Sequence, residues 1–318
     1  MPDAYIPILR NDQNEREVIS NLRQQTFGGE YPAQQLALYP LVEITDENDL
    51  NTFWPYDRAG DEVLVELPQY LTEQENKYED AVTELVNRHG SIPEFYRSEV
   101  SEEYIPVVSG PGEPVDYSEH LSMYRDLRAD FDRLAIRLIL RHPTEPLTDR
   151  QRETLAELAD EVRESDIVLF DFGENSVADP ILDDIRHLSG LFENSENAVL
   201  NAFDAYDDQP DNHSPRIADE IGAFAFGDFG IGHRFKPSGG FNPPSVSHRH
   251  YHPNHSTVAV FEGDDYEEAA TELREWVDWD GTHCESCQLA ANTNNYDPNT
   301  WSRIKMGHYF HSVLRNQI

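Results

Sequence analysis

The residues in this chain best suited to chemistry are charged groups set within or directly after apolar runs. Arg10 follows "YIPIL", Glu43 lies in "LYPLVEI", Glu66 in "EVLVEL", Arg137 in "LAIRLIL", Asp171 in "DIVLFDF" and Asp228 in "AFAFGDF". An unpaired charge is costly in such surroundings, so these groups must pair with one another, hold a cation, or hold a substrate. Several carboxylates with two arginines suit a divalent ion such as Mg or Mn, together with an anionic group such as a phosphate. In that reading Glu43, Glu66, Asp171 and Asp228 are metal ligands or acid–base groups, and Arg10 and Arg137 hold the anion. Structural salt bridges are the alternative.

A second constellation is built of histidine and cysteine. "SVSHRHYHPNHS" (245–256) carries His248, His250, His252 and His255, and "THCESC" places His283 beside a CxxC pair, Cys284 and Cys287. Two thiolates at this spacing make half of a tetrahedral zinc site. His283 is the adjacent candidate, and the remaining ligands must come from 248–255 or from His308 and His311. A redox role fits less well, because the pair is not expected to open a helix after a strand. The histidine segment lies inside an acid-free stretch from Phe229 to Phe261, which also holds His233, Arg234, Lys236 and Arg249. The last 33 residues carry one acid, Asp297, beside Arg303, Lys305 and Arg315 and many rings. In so acidic a chain an acid-poor segment is buried, faces a partner, or faces an anion. The anion reading assigns Arg249 and Arg303 to binding a nucleotide or single-stranded nucleic acid, and His250 and His308 to proton transfer. No G-x-S-x-G, phosphate-loop or dinucleotide motif occurs.

The elements that must position these groups are legible. Eight apolar runs (5–10, 38–44, 62–67, 104–109, 134–140, 166–172, 198–203 and 223–229) alternate with segments of helical periodicity. Near-continuous apolar strands interleaved with helices imply a parallel sheet covered on both faces. Eight such units predict a (β/α)8 TIM-like barrel, whose strand ends converge on one mouth. The run 257–263 is expected either to be the eighth strand or to pair with 223–229. Residues 1–278 are expected to form the barrel, with a long acid-free loop at 229–256, and residues 279–318 an extension packed over its mouth.

Composition sets the setting. There are 61 Asp and Glu against 24 Lys and Arg, a formal net charge of −37, with only three lysines. The many Phe and Tyr residues argue against disorder, which leaves a carboxylate-coated folded protein of a salt-accumulating cytoplasm. No run is long and apolar enough to span a membrane, and the start lacks the pattern of a signal peptide. Seven arginines between Arg125 and Arg152 are interspersed with acids and read as a paired helix surface.

In its motif order the chain resembles the phage-associated "beta protein" family. "YIPILRNDQNEREVISNL" is similar to that family's opening, with Arg10 where the family has lysine. "YPLVEI" is similar to its Pro-Leu-Ile-Glu-Ile, "FGDF" to its Gly-Asp motif, "RHYHPNHSTVAVFEG" to its Arg-Tyr-Thr strand, and "WSRIKMGHYFHSVL" to its closing segment. The family has no cysteine pair at this place, so zinc would be a local elaboration. The resemblance implies a barrel in a prophage or antiviral-defence setting, without naming a reaction. A metal-assisted hydrolase of a phosphate-containing substrate is the first expectation. A non-catalytic partner that docks a nuclease-like effector is the second, and a phage accessory or structural protein the third.

Overall fold

In the computed structural model every one of the eight apolar runs becomes a barrel strand. The structure describes residues 2–25, 36–46, 48–52, 56, 61–71, 79–110, 117–140, 147–173, 179–201, 213–230, 246–252 and 257–315. The strands are β1 (Ala4–Leu9), a staggered strand in two pieces, β2 (Ala37–Leu38) and β3 (Leu41–Glu43), then β4 (Leu64–Glu66), β5 (Ile105–Ser109), β6 (Ala135–Ile139), β7 (Ile167–Asp171), β8 (Glu196–Asn201) and β9 (Ala225–Asp228). All neighbours pair in parallel, and β9 closes on β1 in register from Ala4↔Ala225 to Pro7↔Asp228. The chain is a closed (β/α)8 barrel.

Strand alternation divides the apolar residues into two sets. Ala4, Ile6, Ile8, Leu41, Leu64, Ile105, Val107, Ala135, Ile167, Leu169, Ala198, Leu200, Ala225 and Phe229 fill the interior. The other parity, including Tyr5, Val42, Val65, Val108, Ile136, Phe170, Val199 and Phe226, packs against the helices. Gly227 is an interior position at the closing seam. A Cβ there would lie 2.2 Å from the Ile6 carbonyl oxygen and 2.7 Å from Leu200, so the two strands approach this closely only around glycine.

The outer layer contains α1 (Gln13–Gln25), α2 (Glu79–His89), α3 (Ile92–Glu99), α4 (Tyr117–Leu127), α5 (Asp149–Glu161), α6 (Asp179–Leu191) and α7 (Ser214–Ile221). Local chemistry starts several of them: Ser91 caps α3, and Thr148 with Gln151 forms a capping box on α5. No described helix is long and apolar enough to cross a membrane.

After β9 the chain makes an excursion. β10 (Val246–His252) pairs antiparallel with β11 (Thr257–Gly263), followed by α8 (Tyr266–Glu275), α9 (Glu285–Asn292) and α10 (Pro298–Leu314). The segment 257–263 therefore takes neither expected role: its partner is the histidine-rich strand, outside the barrel. The run 223–229 already completes the barrel without it. The acid-free segment is correspondingly not all loop, since β10 occupies its centre. This excursion has a core of its own, formed by Phe261, Ala269, Ala270, Leu273, Ala290, Trp301 and Ile304. Leu273 and Ala290 share that core from either side of residue 278. Helix α10 returns to the barrel, packing along α1 and against the outward faces of β1 and β9. That is the place of the eighth barrel helix.

Candidate functional site

At the C-terminal ends of the strands the interior changes from apolar to charged. Arg10, Glu43, Glu66, Arg137 and Asp171 share the inward parity of their strands and meet there, all at least 96% buried. Arg137 is central. Its guanidinium reaches Glu43 at 2.9 Å and Asp171 at 2.8–2.9 Å, and it also contacts Glu66. Arg10 Nε donates to Glu43 at 3.1 Å, and the Tyr70 hydroxyl donates to the same carboxylate. The Phe229 ring lies 5.3 Å from the Arg10 guanidinium and 5.8 Å from that of Arg137.

The charges therefore satisfy one another, and a guanidinium stands among the carboxylates where a divalent ion was expected. The described carboxylates at the mouth do not converge as an Mg or Mn site. Their titration is split by environment. Burial raises Glu43, but Arg10 and Arg137 outweigh it and hold the carboxyl below its ordinary value. Burial also raises Glu66, and there Arg137 is partly offset by repulsion from Glu43, so the carboxyl is pushed up to about 7. One carboxylate is thus kept charged while its neighbour holds a proton near neutrality, the division that acid–base sites use.

Asp228 does not join this network. It has the opposite parity to Gly227 and Phe229, and it accepts bonds from the Tyr5 hydroxyl (2.8 Å), the Tyr309 hydroxyl (2.6 Å) and the Gly230 amide (2.8 Å). Its role is to fasten α10 across the seam. Arg303 is likewise away from the mouth: it pairs with Glu17 of α1, which joins α10 to α1. Of the arginine-rich segment, Arg125 pairs with Glu157 and Glu161, Arg128 with Asp166, and Arg152 with Asp184, as expected of a paired surface, whereas Arg137 lies on β6 and belongs to the mouth.

The histidine and cysteine candidates form a separate cluster. Strand alternation puts His248 and His250 on one face of β10 and Arg249 and Tyr251 on the other. All four are buried, which answers what the acid-free strand does: it is interior rather than an exposed anion-facing wall. His248 packs on Trp301 and burial lowers its pKa to about 3, so the ring is neutral. His250 stacks on His308, centroids 3.9 Å apart, and both lie with Cys287 in a group whose ligand atoms fall within 4.8 Å of one another. Cys284 is the N-cap of α9 and its sulfur accepts from the Cys287 amide, so the CxxC opens a helix, but one that follows α8 and not a strand. His250 and His308 therefore belong to the cysteine pair and not to the carboxylates. His283 lies at the edge of the cluster, its ring 5.2 Å from His308 and 5.6 Å from His311. His233, Arg234, Lys236 and His255 lie outside the described residues.

Beside this cluster a cleft of about 470 Å³ runs between α1, α9 and α10, with Glu17, Cys284, Leu289, Arg303 and His311 in its walls. The sequence singles out Cys284, Arg303 and His311 for other roles, and only the packing of the three helices brings them together around this cleft.

The fold and mouth define the class: a (β/α)8 barrel with a charged layer at the C-terminal ends of its strands and a histidine-bearing hairpin and CxxC helix before its last helix. Comparison with protein-family models and with curated proteins finds no match for this chain.

Proposed function

We propose that the barrel is an enzyme of the cytoplasm that performs acid–base chemistry at its C-terminal mouth on a phosphate-containing substrate, with a hydrolase reaction as the first case to test. The observation that carries this reading is Glu66, an inward carboxyl at a barrel strand end that titrates at about 7 beside an arginine. In this reading Glu66 gives and takes the proton. Arg137 and Arg10 supply positive charge, exchanging part of their carboxylate contacts for substrate oxygens. The divalent ion drops out of the mechanism, since Arg137 occupies the position between the acids. The prophage or defence setting suggested by the motif order is part of the proposal and rests on that resemblance alone.

A second reading is favoured by one observation. All five charged groups are at least 96% buried and engaged with one another, which suits a non-catalytic barrel that docks a nuclease-like effector through another surface. Turnover of phosphomonoesters, phosphodiesters and single-stranded nucleic acid by the purified protein in high salt, with and without Glu66→Gln, separates the two. The enzyme reading expects turnover that falls about 10²–10⁴-fold in the variant. If none of these substrates is turned over and Glu66→Gln retains full in-cell activity, the enzyme reading is overturned in favour of the docking one.

A further inference from the structure

We infer that Cys284, Cys287, His308 and His250 form a structural zinc site that locks the excursion after β9 onto the last helix. The argument begins with spacing. The two sulfurs lie 3.6 Å apart, and His308 Nδ1 lies 3.5 Å from Cys284 Sγ and 3.2 Å from Cys287 Sγ. Tetrahedral zinc with bonds of about 2.3 Å to sulfur and about 2.0–2.1 Å to nitrogen puts two sulfurs about 3.8 Å apart and sulfur and nitrogen about 3.6 Å apart. The triangle therefore has the dimensions of one face of a zinc tetrahedron. His250, within 4.8 Å of Cys287 and His308, supplies the fourth corner once its ring turns out of its stack on His308, since two parallel rings cannot both direct a lone pair at one ion.

The surroundings prepare these atoms for a metal. His308 Nε2 lies 2.7 Å from the Tyr251 carbonyl oxygen, a contact in which the ring donates. That fixes the tautomer with Nδ1 unprotonated and aimed at the sulfurs, which is the outer-shell arrangement common to metal-bound histidine. The Cys284 sulfur sits at the N-terminus of α9 and accepts an amide hydrogen bond, and both features favour thiolate. Cys287 is fully buried, Cys284, His250 and His308 nearly so, and four protein ligands leave no open coordination position, as structural sites require.

The fold has a use for such a clamp. The excursion has a core of seven buried residues, small for a unit that must hold a hairpin and two helices in place. The four ligands come from β10, the start of α9 and the middle of α10, so one ion ties all three. His283, although adjacent in sequence, is left outside the coordination sphere.

The test uses the purified full-length chain. Metal analysis should give one zinc per chain, and cobalt substitution should give the visible bands of a tetrahedral site with a thiolate charge-transfer band. Both cysteines should resist a thiol reagent until a chelator is added, and the chelator should lower the melting temperature. Cys287→Ser and His308→Ala should lose the metal, while His283→Ala keeps it. Cobalt titration of the unmutated chain gives the answer even where a cysteine variant fails to fold. A stoichiometry below about 0.1 zinc per chain, with the pair recovered as a disulfide, would overturn the site in favour of a redox pair. Zinc kept by His250→Ala and lost by His283→Ala would overturn the assignment of the fourth ligand.

Discussion

Replacing Arg137 with methionine tests the charged layer most directly. Methionine keeps an unbranched apolar stem and carries no charge, so the change removes the shared cation and leaves Glu43, Glu66 and Asp171 together in a buried site. Breaking a buried ion pair by deleting one partner typically costs about 3–5 kcal/mol, because the other charge is left uncompensated. At about 2–4 °C per kcal/mol for chains of 150–250 residues, the melting temperature should fall by roughly 6–20 °C at pH 7.5. The deficit should shrink on acidification, since the stranded carboxylates escape the penalty by taking up protons. Adding Glu66→Gln should recover part of the loss, as it removes one of the repelling groups. Thermal melts of the parent, single and double variants at pH 7.5 and 5, in constant high salt, provide the measurement. A single variant that melts within about 2 °C of the parent at both pH values would refute the claim that this buried layer is held by Arg137.

The remaining predictions concern the mouth, the seam and the helices. Glu66 has a folded pKa of about 7 against an ordinary 4.5, so the folded state binds the extra proton between those values. Its contribution to stability is full below about pH 4.5 and is lost as pH rises through 7. Relative to Glu66→Gln, the parent should lose about 1.4 kcal/mol per pH unit across that window, measured by denaturant titration in pH steps. Tyr309→Phe removes a hydrogen bond to the Asp228 carboxylate and should cost about 1.5–3 kcal/mol in the same assay. Gly227→Ala should prevent barrel closure and yield insoluble chain, because the new methyl meets backbone at 2.2 Å. Gly190→Ala, in α6 with nothing within 4 Å of a new Cβ, should instead stabilise by about 0.5–1 kcal/mol.

The barrel was legible because parallel strands buried on both faces need apolar residues at nearly every position. Each of the eight runs is continuous enough to be seen without knowing its neighbours. The mouth was half legible. Reading strand ends finds Arg10, Glu43, Glu66, Arg137 and Asp171, but an end has two faces, and only alternation against Gly227 and Phe229 turns Asp228 outward. That information is in the sequence and can be used only once the strand's interior face is known. That the carboxylates would bond to Arg137 instead of a metal depended on distances across the barrel. Such distances follow from strand stagger and leave no trace in local sequence. The cysteine–histidine cluster was visible only as a pair in search of partners: His250, Cys284 and His308 are separated by 34 and 24 residues, and helix and hairpin packing alone chooses among the histidines.

The seam between β1 and β9 has a consequence for how the chain is made. The pairing joins Ala4 to Ala225, and the helix that covers its outer face starts at Pro298, 70 residues after Asp228. At about 5–20 residues per second on the ribosome, those 70 residues take roughly 4–14 s to appear. During that interval the first and last strands can meet, but the Asp228 carboxylate lacks the Tyr309 hydroxyl and Phe226 and Tyr5 lack the cover of α10. The nascent protein is therefore a barrel with one side open until the helix that starts at Pro298 arrives to shut it.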